Sequence, residues 1–335
     1  MIDYLSLEVP DIITYWGLTA YHWEKIKDVF KVETNQGTKN LKISPLNPQR
    51  LIFVHNAVDH LKRQNFTRMY PLIPTLDGRT YVYKYDKAFS LYDWVNGRQC
   101  DFKNLSELAF STKVLADFHL KSTGFPPPPH SNMRDQLGKC LNHFEERYRD
   151  LLKFQKQAGS MPNDAFAQIY LENVDCFLPM AEKAIANLKK SNYTRLVQLA
   201  KTNGRFCHGD PAARNFILTP EGLIYLIDFD SCRLDLPIMD VIKFSRRVMK
   251  KYNWDYQIAK LIFDSYQEVI PLSPAEIDVC KAIFYFPQKF WRLSIRYFHN
   301  HQRYSQERSV HKFQKYLSNK DNLAEFQALF ENYYC

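Results

Sequence analysis

The sequence predicts an α+β chain. A small antiparallel five-stranded N-terminal lobe spans residues 1–97, and a large, mostly helical C-terminal lobe spans 98–335. Three observations carry this. Between Trp23 and Val95, short runs rich in β-branched and aromatic residues are bounded by turn signals. Beyond Gly97, apolar residues recur mainly at helical spacing. The exception is Phe206 to Asp240, where a polar loop leads into two short apolar runs split by Thr219-Pro220-Glu221-Gly222, a turn.

In order, Met1 to Tyr21 is predicted helical and outside the main sheet, with a short helix over 11–18 ending at Gly17. Trp23 to Ile26, Val29 to Thr34 and Thr38 to Ile43 read as antiparallel strands, the second turn being Asn35-Gln36-Gly37. Lys42 ends the third strand. It is either an alternating strand lysine facing water or a ligand contact. Asn47 as N-cap and Pro48 at the first helical position start a helix, with Leu51, Val54, Val58 and Leu61 on its buried face. Arg79 to Lys84 and Phe89 to Val95 complete the five strands, the first entered through Asp77-Gly78. Leu105 to Lys121 is an amphipathic helix with Leu105, Leu108, Leu115 and Phe118 inward. Gly124-Phe125 and Pro126 to Pro129 break it, a stretch able to act as a stiff polyproline linker. Ser131 to Gly204 holds two or three helices. Asp240 to Tyr252 is a helix with Asp240 as N-cap, and the tail is helical around a turn at Pro271 and Pro274.

The chemistry concentrates in Phe206-Cys207-His208-Gly209-Asp210-Pro211-Ala212-Ala213-Arg214-Asn215 and, after a hairpin, Ile227-Asp228-Phe229-Asp230. Asp210 and Asn215 have the spacing of a kinase catalytic-loop Asp and Asn, and Asp228 sits where the second strand ends. Phosphoryl transfer needs an oriented hydroxyl nucleophile and neutralised phosphate charge. Asp210 is a candidate to accept or orient the hydroxyl proton. Asn215 and Asp228 offer the hard oxygen ligands that Mg²⁺ prefers. Taken singly, each residue also fits a turn or strand-end role.

Gly209 in place of arginine, and the short distance from Asp228 to the helix at Asp240, separate this chain from protein kinases. His-Gly-Asp, the later Asn, Ile-Asp-Phe-Asp and Asp240 resemble the aminoglycoside phosphotransferase and choline kinase superfamily, enzymes of bilobal protein-kinase-like fold that phosphorylate small molecules. Tyr92-Asp93-Trp94-Val95-Asn96-Gly97-Arg98, Leu115-Ala116-Asp117-Phe118-His119 and Asp235-Leu236-Pro237-Ile238-Met239-Asp240 look like CotS-type spore coat proteins of endospore-forming bacteria. The resemblance covers nearly the whole chain. It implies ATP and Mg²⁺ as cofactors, Lys42 on the nucleotide phosphates, and backbone groups at Asp93 and Val95 on the adenine edge. It implies a small hydroxyl-bearing acceptor, Asp240 as a brace for the catalytic loop and His119 as a packing residue beneath it. It also implies spore coat proteins as partners, with synthesis in the mother-cell cytoplasm before deposition in the coat.

The chain departs from the family in two places. The helix from Pro48 has no glutamate to pair Lys42; His55 stands near the expected position and Asp59 one turn on. The connection at Lys25-Ile26-Lys27-Asp28 has no glycine to cover phosphates. These departures keep a second function open: a catalytically weak or inactive structural component of the coat.

The composition narrows the partners. No apolar run is long enough to cross a bilayer, and Met1 to Pro10 lacks the basic start of a secretory signal. The 7 cysteines have no paired spacing, which argues against a disulfide framework or zinc site. The formal charge of +9 fits either a solvated basic surface or an anionic partner. No nucleic-acid motif accompanies it. Phe284 to Phe298 mixes aromatics with Arg292 and Arg296, followed by Arg303, Arg308, Lys312 and Lys315; it reads as helical core packing or as a stacking surface.

Overall fold

The strand-forming runs between Ala20 and Asp93 close into one antiparallel sheet in the computed structural model, which describes residues 4–299 and 305–333. The predicted N-terminal start at Met1 to Asp3, Arg303 and Cys335 lie outside the described residues. The chain forms two compact units. The first comprises Met1–Asp135, Asn203–Pro237 and Glu268–Ile270; the second comprises Gln136–Thr202, Ile238–Gln267 and Pro271–Cys335.

Unit 1 opens with α1 (Tyr4–Leu7) and α2 (Val9–Ile13), a 3₁₀ turn over Thr14–Trp16 and Gly17 at φ 67. Glycine suits that left-handed end because it has no Cβ to clash. The sheet follows, with β1 (Ala20–Ile26), β2 (Val29–Thr34), β3 (Gly37–Ser44), then α3 (Pro48–Arg63), β4 (Leu72–Ile73), β5 (Val82–Lys84) and β6 (Lys87–Asp93). Its order is β1-β2-β3-β6-β4, with β5 also pairing β6. The five expected strands are present and the two-residue β4 makes a sixth. Arg79 to Tyr81 stay outside β5, which starts at Val82. The N-terminal helical segment is not peripheral. Val9, Ile12, Ile13 and Trp16 are buried against Phe30, Val32, Leu41, Phe89 and Leu91 of the sheet. Burying each such side chain contributes roughly 1.5–3 kcal/mol.

Asn47 caps α3 by accepting from the Arg50 N–H at 2.9 Å, and Leu51, Val54, Val58 and Leu61 are buried as the periodicity requires. After β7 (Arg98–Gln99) comes α4 (Leu105–Lys121), capped by Asn104. Leu108, Leu115 and Phe118 are buried, but Leu105 is 47 % exposed. Glu107 takes the inner side of that first turn instead, drawn in by Arg98 at 2.7 Å. Later in the chain, β8 (Phe206–Cys207) pairs β11 (Arg233–Leu234), and the hairpin of β9 (Phe216–Leu218) and β10 (Ile224–Leu226) joins β7.

Unit 2 is helical: α5 (Cys140–Gly159), α6 (Ala165–Lys190), α7 (Tyr193–Asn203), α8 (Pro237–Met249), α9 (Tyr256–Gln267), α10 (Pro274–Tyr285), α11 (Gln288–His299), α12 (Gln306–Leu317) and α13 (Lys320–Glu331). The helix expected from Asp240 begins at Pro237, because proline is preorganised for a first helical position. Asp240 is therefore a buried first-turn residue and not the N-cap. Ser273 and Glu276 form a reciprocal capping box on α10. The aromatic stretch is core: Phe284, Phe286, Phe290, Tyr297 and Phe298 are buried. Phe290 stacks on Phe177 at 4.1 Å and Tyr297 on Phe166 at 4.0 Å. Those rings are spent on packing and are not a stacking surface. Among the described residues Cys100, Cys140, Cys176, Cys207, Cys232 and Cys280 are free thiols. None of the described helices is long and apolar enough to cross a membrane.

Candidate functional site

The loop between β8 and β9 is built by backbone bonds that its residue types permit. Gly209 has φ 78, and a Cβ there would lie 2.2 Å from the Ser231 carbonyl oxygen. Only glycine lets the loop pass so close to the segment after Asp228. His208 spans the same gap. Its Nδ1 lies 3.3 Å from the Asp210 N–H and its Nε2 3.0 Å from the Ile227 carbonyl. Acceptance at Nδ1 and donation at Nε2 satisfies both with a neutral ring. His208 is fully buried, with Phe229 at 5.2 Å from its ring.

This clasp sets the next residues. The Ala212 N–H donates to the Asp210 carbonyl at 2.8 Å and Asn215 N–H to the Ala212 carbonyl at 2.8 Å, closing a tight turn. The buried Asn215 amide donates to the Asp210 carbonyl at 2.8 Å and lies 3.5 Å from its carboxylate. Arg214 donates to the Asp210 carboxylate. The Ile227 N–H donates to the Asn215 carbonyl at 2.9 Å, so the loop is fastened to the residue preceding Asp228.

Asp228 has φ 66 and ψ 72, a left-handed conformation that costs a non-glycine residue free energy and clusters at functional sites. The 3₁₀ turn Phe229–Ser231 follows directly. Together they turn Asp228 and Asp230 towards one cation. Lys42 Nζ is 2.7 Å from Asp228 Oδ1 and 2.8 Å from Asp230 Oδ1. Burial by itself would lower the Lys42 pKa, but the Asp230 and Asp228 carboxylates outweigh it and raise it. Burial likewise works against an ionised Asp228, and Lys42 reverses this and holds its carboxyl below the usual range.

The structure thus joins Asp210 to Asn215 and Lys42 to Asp228. Asp93 and Val95 stand elsewhere on unit 1. Asp93 ends β6 with its carboxylate 2.6 Å from Lys39 Nζ, and the half-buried Val95 follows Trp94, whose N–H donates to the Thr38 carbonyl at 3.1 Å. Gly97 passes the hairpin at a point where a Cβ would lie 2.4 Å from the Leu218 carbonyl oxygen.

Neither candidate on α3 replaces the absent glutamate. His55 is buried, 3.0 Å from Thr80 Oγ1 and 3.2 Å from Ser90 Oγ. Asp59 is 58 % exposed and pairs with Arg63 at 3.0 Å. Asp230 is the second carboxylate on Lys42, a role the sequence reading left unassigned; the signal was an acid two residues past Asp228. Arg50 was also missed. It is buried on α3 and donates to the Asp230 carbonyl at 3.0 Å and to the Cys232 carbonyl, bracing the turn that carries both acids. The connection between the first two strands is as short as the sequence indicates. β1 and β2 pair through Ile26 and Val29, leaving the two-residue turn Lys27-Asp28.

Carboxylates of Asp228 and Asp230 converging on one cation, with Asn215 fastened by its backbone carbonyl to Ile227 next to Asp228, make a hard-oxygen donor set of the kind Mg²⁺ takes. The residues present fit that ion.

The model of the phosphotransferase enzyme family matches residues 18–259. Spore coat protein S of Bacillus subtilis (strain 168) is 25 % identical over 296 residues, 87 % of this chain and 84 % of that protein. Among solved structures, an aminoglycoside phosphotransferase from Alicyclobacillus acidocaldarius has a TM-score of 0.86 at 22 % identity, covering 96 % of this chain and 95 % of the other. Choline kinase LicA from Streptococcus pneumoniae has a TM-score of 0.52 at 14 % identity, covering 96 % and 100 %. These likenesses give the chain a kinase-like α+β fold.

Proposed function

Since the chain belongs to the phosphotransferase enzyme family, we propose that it transfers the terminal phosphate of ATP to a small hydroxyl-bearing molecule, with Mg²⁺, as a spore coat-associated kinase. The observation that carries this reading is the pair of carboxylates on Lys42 beside the Asp210–Asn215 loop, all within unit 1. Asp210 orients the acceptor hydroxyl and takes its proton. Arg214 and Asn215 hold that carboxylate in place. Asp228 and Asn215, with Asp230 added, hold the metal, which supplies neutralisation of phosphate charge when bound. Lys42 contacts the nucleotide phosphates, and backbone groups at Asp93 and Val95 take the adenine edge. Mother-cell synthesis and coat residence belong to the same proposal, supported by the coat-protein relative.

A second reading has its own support. The Lys27-Asp28 turn is too short to cover phosphates, and α3 carries the buried His55, not a glutamate, near the expected position. On that reading the fold is a coat assembly component with little catalysis.

Calorimetric titration with ATP, with and without Mg²⁺, separates the two. Mg²⁺-dependent binding that Asp228→Ala abolishes is the expected result. No binding up to millimolar ATP would favour the structural reading. Once an acceptor is found, Asp210→Asn should remove turnover and keep nucleotide affinity; unchanged turnover would remove Asp210 from its role. Normal coats in a strain carrying Asp210→Ala and Asp228→Ala would make catalysis dispensable for assembly.

A further inference from the structure

Unit 2 gathers a group of cations, most of which make no salt bridge among the described residues. On α11, Lys289, Arg292 and Arg296 fall at i, i+3 and i+7, one helix face. Arg147 of α5, Arg246 and Arg247 of α8, Lys250 just beyond it and Lys312 of α12 come within electrostatic reach of Lys289, Arg292 or one another. Among the described residues Arg147, Arg246, Lys250, Lys289, Arg292, Arg296 and Lys312 make no salt bridge, although many other cations of the chain do.

The inner members of the group are fixed by neutral partners. Arg147 donates to Gln288 Oε1 at 2.7 Å and lies over the Trp291 ring at 4.6 Å. Arg246 donates to the Ile283 carbonyl at 2.6 Å and the Phe286 carbonyl at 3.2 Å, with Phe284 beneath it at 5.6 Å. Carbonyls, an amide and ring faces hold a guanidinium in position without cancelling its charge. Glu146 and Asp150 are the acids that Arg147 feels without a salt bridge to either, and Asp150 is engaged by the Trp291 indole N–H at 2.8 Å. The Tyr316 hydroxyl is buried without a hydrogen bond of ordinary geometry, with the Arg246 guanidinium and the Phe290 backbone as its polar surroundings.

Burial and the neighbouring cations together disfavour the charged forms of two of these groups. Burial, then Lys250, Arg292, Arg296 and Lys312, push the Lys289 ammonium down to about 8. Burial, with Arg296 and Arg247, lowers Arg292. Like charges held together and partly desolvated work against folding. Such an arrangement is the one an anionic ligand would stabilise, and it is the kind of local cost that functional sites carry.

We propose that Arg147, Arg246, Lys289 and Arg292 form a binding site for a small polyanion, a compound bearing phosphate or clustered carboxylate groups. Arg147, Arg246 and Lys289 are half-buried and form its floor, while Arg292, Arg296, Lys250 and Lys312 are exposed and form its rim. The half-buried floor favours a compact ligand over a nucleic-acid strand, which needs an exposed track and free aromatic faces. Guanidinium forks bind phosphate and carboxylate in two-point fashion. This inference stands whether or not unit 1 transfers phosphate.

The test is calorimetry and thermal unfolding of the full chain with pyrophosphate and, separately, citrate, in Mg²⁺-free buffer at low salt. Binding is expected, with a rise in Tm, and the tighter probe identifies the anion class. Lys289→Met combined with Arg292→Met should weaken it by about tenfold or more while leaving the free protein as stable as before or more so, since repulsion is removed. Arg292→Lys, which keeps charge and loses the fork, should weaken binding with the fold intact. Asp228→Ala should bind the probe as wild type does, which separates this site from the nucleotide site. Undiminished affinity in the double variant overturns the proposal. So does a fall in the free protein's Tm with affinity unchanged, which would mark a packing role. Binding confined to long single-stranded oligonucleotides, with a steep salt slope, would make the patch a nucleic-acid surface and overturn it as well.

Discussion

Lys42 Nζ lies 2.7 Å from Asp228 Oδ1, an ion pair joining residues 186 positions apart. With Asp230 at 2.8 Å it shares one cation between two carboxylates. In the free protein Lys42 is the counter-charge that the two carboxylates share. Lys42→Met removes it and leaves the carboxylates facing each other. Because Asp228 is 44 % exposed, the loss should be modest, about 1–2 kcal/mol in urea unfolding. Millimolar Mg²⁺ should restore more stability to Lys42→Met than it adds to wild type. Equal Mg²⁺ effects on the two proteins would remove the carboxylate pair as a cation site.

Gly209 carries a sharper prediction. Its φ of 78 and the 2.2 Å approach of a Cβ to the Ser231 carbonyl make any side chain both strained and obstructed. Gly222, at φ 81, has the same kind of backbone but nothing within 4 Å of its Cβ position. Gly222→Ala should cost about 1 kcal/mol, the conformational penalty alone. Gly209→Ala should cost about 2 kcal/mol or more, and should shift the loop that carries Asp210. Similar midpoints for the two variants in urea would show that the close approach is relaxed in solution.

The contrast explains what was legible in the sequence. Asp210, Asn215 and Asp228 were readable because a loop, a hairpin and a strand end follow one another locally, each with its own turn residues. Asn47 and Pro48 announced α3 in the same way. Asp230 needed more: its role depends on a left-handed residue at 228 and a 3₁₀ turn that no propensity marks. Arg50 needed the approach of α3 to the turn after Asp228, a contact across 180 residues. The start of α8 lies three residues before the acid Asp240 that looks like a cap, because Pro237 begins the helix.

Arg50 can be tested directly. It is buried, spans the Asp230 and Cys232 carbonyls, and lies over the Phe53 ring at 4.8 Å. Arg50→Met keeps most of the stem packing and leaves those carbonyls without their donor. A loss of about 1–3 kcal/mol is expected, together with weaker Mg²⁺-dependent nucleotide binding, since the turn holding Asp228 and Asp230 loses its brace. Stability loss with nucleotide affinity intact would confine Arg50 to packing.

His55 gives the pH dependence. Burial first, and the Lys42 charge second, push its pKa down to about 4. The imidazole is therefore neutral in the folded protein near pH 7, bridging Thr80 and Ser90. In the unfolded chain it takes up a proton near its ordinary value of about 6.5. A depressed folded pKa means that the stability contributed by His55 is present above about 6.5. That contribution is lost progressively as pH falls towards about 4, because the unfolded state binds the proton first. His55→Gln keeps a hydrogen-bonding side chain and cannot titrate. Its stability relative to wild type should improve steadily as pH drops through that window, and should be level above it. A constant difference across the window would mean that His55 is accessible to protons in the fold, and that the place of the α3 glutamate is open to solvent.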